Sequence, residues 1–264
     1  MRKLIRTTIL SLFAFGYYGV CALLNLYSIL LPYNLMREKT TAFPTFKSWF
    51  NKGRQDFRNI PILIWLNIIT VIFLSVLSFY ARIKSKGAGI ENLFSDPFYV
   101  GIFYLGWFTS ISEIMWCASI SVCLFSAILL PASNRSFRIF LFVSSLVMLL
   151  LFLDDRFRLT LILCAFFGTC KVIKLGVYSV YGTILILYAW LFRHTIRQTP
   201  YIPLLVSFCL FGFSSAIDVT PISSRGIHAM LEDGSKLLGL INLTIYFWWI
   251  CQQEIKKNFI AASN

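Results

Sequence analysis

Fifteen consecutive residues, Ile139 to Leu153, carry no charge, and six further apolar runs accompany them along the chain. A hydrocarbon core needs roughly 20 apolar residues per crossing helix. The runs fall at about 7–31, 60–81, 99–130, 136–153, 172–192, 202–218 and 237–253. Lipid offers no partner to a free backbone N–H or C=O, so each run must close its own hydrogen bonds as a helix. The expected fold is an all-α polytopic transmembrane bundle of about seven helices, forming a single domain over residues 1–264. Six helices is the alternative count, because 136–153 is barely long enough and 202–218 is interrupted by Gly212, Ser214 and Ser215.

Composition points the same way. Hydrophobic residues make up 58% of the chain and charged residues only 13%, where an ordinary soluble domain has about a quarter. The net charge of +13 would suit nucleic acid in a soluble protein. In a membrane bundle, interfacial Lys and Arg account for it, and no nucleic-acid partner is expected. The start, "MRKLIRTTILSLFAFGYYGVCALL", has the basic lead and apolar middle of a secretory signal. Its apolar run continues to Pro32 with no clear small-x-small cleavage site, so a retained first helix is expected. Seven cysteines, an odd number without a C-x-x-C pair, predict neither a disulfide framework nor a thiolate metal site. They read as small lipid-compatible fillers.

Residues 32–59 mix six Lys/Arg with Phe43, Phe46, Trp49, Phe50 and Phe57. Basic and aromatic residues interleaved in this way suit a segment lying in the headgroup layer, where anionic headgroups attract the charge. Membrane lipids are thus the expected partners, with a membrane-protein partner or a second copy of the chain as further options. The 24 Lys/Arg residues divide equally between the two faces of a seven-helix topology, so their total does not orient it. The densest basic loop follows the first run. That places the N-terminus outside and "EIKKN" in the cytoplasm, in a cytoplasmic (inner) membrane.

The carboxylates supply the chemistry. Alternating chain direction brings the end of the fourth run, the end of the sixth and the start of the seventh to one face of the membrane. Asp154 and Asp155, Asp218, and Glu232 with Asp233 stand at those three places. Glu113 lies inside the third run, which starts on the same face; counted from Pro97 it is some four turns deep, roughly 24 Å along the axis. An ionisable group inside a crossing helix is costly and is by default a functional candidate. Thr109, Ser112, Glu113 and Trp116 share one helical face. "LDDR" then forms one wall of a polar chamber, "EDGSK" at 232–236 the opposite wall, and Glu113 the floor. Glu232 and Lys236, spaced i, i+4 with Glu first, suit a helical ion pair, and His228 has the same spacing to Glu232. The cation that keeps Glu113 charged is expected to be Lys236, His228 or a metal. The plain alternative is that the acids mark the water boundary in surface pairs worth little, with Glu113 a protonated link between two helices.

A catalytic metal site needs three or so ligands, and the two histidines, His194 and His228, fall on opposite faces. His228, Glu232, Asp154 and Asp155 would make one oxygen-rich set, better suited to Mg²⁺ or Ca²⁺ than to Zn²⁺. No H-E-x-x-H, H-x-x-x-H, G-x-S-x-G or Gly-rich phosphate loop occurs, and no metal or cofactor is assigned. The leading functional reading is a site for a cation, proton or small polar ligand, in transport or sensing, built from Glu113, Asp154, Asp155, Asp218, His228, Glu232 and Lys236. A membrane-embedded metal-dependent or acid–base enzyme acting on lipid is the second. A non-enzymatic scaffold or effector subunit is the third.

Three stretches, "WCASISVCLFSAILL", "LFLDDRFRL" and "LEDGSKLLGL", together resemble a family of uncharacterised bacterial multipass proteins. In that family an aspartate pair closes one helix and an acidic-Gly-Lys segment opens the last. The resemblance spans residues 107 to 250 or so. There the aspartate pair is followed by His-Glu, whereas here "RLTLIL" follows, so no metal role through that histidine is implied. The resemblance implies the grouping of the motifs and no particular activity.

Overall fold

The computed structural model describes residues 60–84, 90–94, 106–131, 134–168, 170–220 and 224–263. The first apolar run and the basic, aromatic 32–59 segment lie outside the described residues. Among those described there are eight α-helices and no strand: α1 Pro61–Lys84, α2 Trp107–Leu129, α3 Arg135–Phe157, α4 Leu159–Phe167, α5 Cys170–Leu191, α6 Arg193–Gln198, α7 Ile202–Val219 and α8 Arg225–Ser263. A 3-10 turn at Glu91–Phe94 precedes α2. Five of the helices, α1, α2, α3, α5 and α7, are long and apolar enough to cross a membrane. The expected seventh run is contained in α8, whose 39 residues reach about 58 Å at about 1.5 Å per residue.

Local chemistry sets the boundaries. Leu130 is extended (ψ 138°) because Pro131 follows and disfavours helix at the preceding residue; Thr220, before Pro221, ends α7 in the same way. Arg158 sits at φ 50°, ψ 42°, the one left-handed non-glycine among the described residues. That conformation costs on the order of 1 kcal/mol and breaks α3 from α4. The Asp154 carboxylate compensates by accepting from both the backbone N–H and the hydroxyl of Thr160, at 3.0 and 2.9 Å. Gly168 (φ 74°) ends α4 with its N–H on the Cys164 carbonyl, in the left-handed cap that glycine favours.

The reversal at Gly168 has a consequence for the cysteines. Cys164 and Cys170 are paired as a disulfide across it, which corrects the expectation that the cysteines are unpaired fillers. The absent C-x-x-C motif was a poor guide, because the tight turn between two helices joins cysteines six residues apart.

The bundle is organised around α8, which packs on α7, α2 and α1, while α2 also packs on α3. Gly239 lets α8 lie hard against α7: a Cβ there would stand 3.0 Å from the Phe211 ring, the close approach small residues permit in membrane bundles. At one end the helices close around Phe140, Tyr188, Phe192, Tyr246 and Phe247. Tyr188 shares a 2.6 Å hydrogen bond with Ser144, and Tyr246 shares one of 2.8 Å with Thr199. Core serines and threonines turn back to their own helix or bridge to the next, as Ser119 does to Thr244 at 2.8 Å.

α1 is fastened to α8 by a reciprocal amide pair, Asn67 to Asn242 at 3.1 Å and Asn242 to Asn67 at 2.8 Å. Each amide also donates to a carbonyl four residues back in its own helix, so both donors are used. Asn242 is fully buried. Asn242→Leu strands the Asn67 amide on an apolar face and is expected to lower stability by roughly 1 kcal/mol. Unfolding the purified protein in a detergent titration measures this, and Asn67→Leu in the same background should recover part of the loss.

Candidate functional site

At the end opposite the aromatic cluster, α2, α3, α5, α7 and α8 leave a cavity of about 810 Å³. Six carboxylates line it, Glu113, Asp154, Asp155, Asp218, Glu232 and Asp233, together with four cations, Arg156, Arg158, Lys174 and Lys236. The structure therefore brings together every carboxylate proposed from the sequence, on the shared face that alternation of the chain required. Thr109, Ser112, Glu113 and Trp116 also all line it, as their helical spacing predicts.

The pairing within the cavity differs from the expected one. Lys236 does not fold back to Glu232; it crosses to Asp155 of α3, whose other oxygen accepts from the Trp116 indole at 3.3 Å. The partner of Glu113 is Arg156, at 2.8 Å, rather than Lys236 or His228. An arginine side chain spans the gap between α2 and α3 that the i+4 lysine of another helix does not. Glu232 instead lies 3.3 Å from His228, a contact that is ionic only when the imidazole is protonated. The other imidazole nitrogen is 3.0 Å from the Ile217 carbonyl.

Glu113 is also shallower than expected. α2 starts at Trp107 after Gly106 in the left-handed region, not near Pro97, so Glu113 stands in its second turn, about 9 Å from the helix start. It is a wall of the cavity near the mouth rather than its floor.

Asp218 is held by two residues of α5, Lys174 and Tyr178, each at 2.5 Å. Their i, i+4 spacing puts both on one helical face, and that spacing, with Lys174 opening the fifth run as Asp218 closes the sixth, was the overlooked signal. Beyond this pair a second cavity of about 440 Å³, lined by Lys171, Arg225 and His228, shares Lys174 and Asp218 with the first. The ion pair is a partition between the two. Among the described residues Asp154 has no Lys or Arg ion pair; it is held by Thr160, its structural task at the helix break, with the Tyr181 hydroxyl beside it.

Glu232 and Asp233 precede the apolar stretch that begins at Leu237. Burial, then the charges of Asp233 and Asp218, lifts the Glu232 carboxyl to about 8. Burial lifts Asp233 to about 6 against the pull of Lys236. Among the described residues Asp233 makes no hydrogen bond and no ion pair through its side chain; it faces the cavity and feels Lys236 and Arg158 at a distance.

His228, Glu232, Asp154 and Asp155 do not assemble into one ligand set, since His228 is turned to Glu232 and the Ile217 carbonyl and lines the second cavity rather than the first. Among the described residues no three His, Cys, Asp or Glu side chains are grouped so as to hold a metal ion.

Comparison with curated proteins gave no match, and comparison with solved structures gave none. Residues 63–250, which hold the five crossing helices but for the first two residues of α1, and every residue of the cavity, match a family described as a domain of unknown function, DUF8692. The chain belongs to that family.

Proposed function

We propose that the cavity binds a cation, a proton or a small polar ligand at the acidic end of the bundle, in transport or sensing, with the chain resident in a cytoplasmic membrane. The supporting observation is Asp233: a carboxylate that faces a cavity of about 810 Å³ without a direct partner among the described residues, in a lining with two more carboxylates than cations. Uncompensated negative charge removed from water is costly, and a bound cation or proton relieves it. Glu232 and Asp233 are the contact groups. Glu113, Asp154, Asp155 and Asp218 form the surrounding negative wall, with Lys236 and His228 fixing the charge balance. The 32–59 segment is proposed to hold anionic headgroups.

The test is thermal unfolding of the purified protein at constant ionic strength, with methylammonium or sodium replacing a bulky inert cation. A ligand that binds only the native state stabilises it by about 2.7 kcal/mol at 100 times its Kd. The midpoint is expected to rise with one of the two cations and the rise to vanish in Asp233→Asn. A midpoint indifferent to both cations in the parent protein would sink the reading.

A further inference from the structure

We infer that the occupant of the cavity is an aminophospholipid, its phosphoethanolamine head among the charged side chains and its tails leaving sideways between α5 and α7. This rests on the proposed ligand-binding reading and names its ligand. The cavity has two halves of different chemistry. Past the charged mouth its lining turns apolar, with Leu151, Leu185, Ile186 and Phe208, which neither a metal ion nor a proton would use. Ile186 of α5 is 71% exposed, and Gly212 of α7 is exposed as well, so among the described residues this half opens on the apolar flank of the bundle. A Cβ built at Gly182 or Gly212 meets nothing within 4 Å. The space is there for an acyl chain, and about 810 Å³ lies within the range of organic ligand sites.

The charged half selects the head. Among the described residues Asp154, Glu232 and Asp233 have no Lys or Arg ion pair and Arg158 has no carboxylate partner. Arg158 and Asp233 both line the cavity and sense each other's charge. A head carrying one cation and one anion fits that arrangement. A primary ammonium brings three donors to Asp233 and its neighbours, and a phosphate suits the planar guanidinium fork of Arg158. A quaternary ammonium would need free aromatic faces around it. Here the Trp116 face is covered by Phe211, stacked at 5.7 Å, and the Phe94 and Phe108 rings of the lining are stacked on each other at 5.0 Å. A head with only negative charge would meet the excess of carboxylates.

The experiment uses the full chain in nanodiscs containing a phospholipid with a photoreactive tail, offered with an ethanolamine, a choline or a glycerol head. The ethanolamine probe is expected to label α5 and α7 about tenfold more than the other two, equivalent to about 1.4 kcal/mol. Asp233→Asn should abolish the preference. Gly212→Leu, whose Cβ meets nothing within 4 Å, should reduce labelling while the unfolding midpoint certifies an intact fold. Equal labelling by all three heads overturns the inference. If methylammonium or sodium still raises the midpoint in that case, the broader reading stands and only the lipid assignment falls; if neither cation does, both fall.

Discussion

Asp155→Asn is expected to destabilise the protein by on the order of 3 kcal/mol, the largest effect of any single carboxylate in the cavity. Lys236 crosses from α8 to Asp155 on α3, and the same carboxylate receives the Trp116 indole of α2, so one side chain ties three helices. Its neutral amide leaves the lysine charge in a site removed from water with no direct counter-ion. Asp233, near enough to act on Lys236, holds part of that charge and keeps the loss from being larger. Replacing both partners, Asp155→Asn with Lys236→Met, removes the stranded charge and should restore more than half of the loss, the pattern of a pair that costs more to break than to delete. Chemical unfolding of the four proteins gives the coupling energy directly. A single variant within about 0.5 kcal/mol of the parent would show that the tie carries little.

Stability should fall as pH rises from about 5 to about 9, the reverse of an ordinary acid-unfolding profile. Glu232 and Asp233 are raised in the fold to about 8 and about 6, above their ordinary values of 4.5 and 3.8. Between the ordinary and the raised value the native protein holds a proton that the unfolded chain has lost. Stability linked to these groups is therefore full below the ordinary values and is lost as pH climbs through 6 and then 8. Glu232→Gln should flatten the upper limb of the curve and Asp233→Asn the lower. Unfolding midpoints taken across that range measure it, and a parent protein that gains stability toward pH 9 would refute the assignment.

The helical class was legible because it needs only run length and the rule that lipid leaves no backbone group unpaired. The gathering of Asp154, Asp155, Asp218 and Glu232 was legible for a similar reason, since alternation across a bilayer fixes which ends meet. What the sequence left open depends on lateral neighbours and on exact helix starts. Whether Lys236 reaches Glu232 on its own helix or Asp155 on another is decided by which helix lies beside α8, and periodicity carries no such information. Glu113 reads deeper in the sequence than it stands, because the apolar residues from Phe98 to Leu105 look like more of the same helix, while Gly106 in the left-handed region starts α2 later. The Cys164–Cys170 pairing was hidden by the turn at Gly168, and a five-residue gap between cysteines around a glycine was the available hint.

Cargo arriving beside Asp233 would find no through-route among the described helices, because the far end is shut by packed rings. Passage to the other side demands a second arrangement in which Tyr188 lets go of Ser144, so that α5 can swing out from α3, and Tyr246 lets go of Thr199, so that the link between α6 and α7 can part from α8. A receptor needs no such motion. The two phenol–hydroxyl latches therefore separate a carrier from a sensor: loosening them should change flux in the one and leave occupancy untouched in the other.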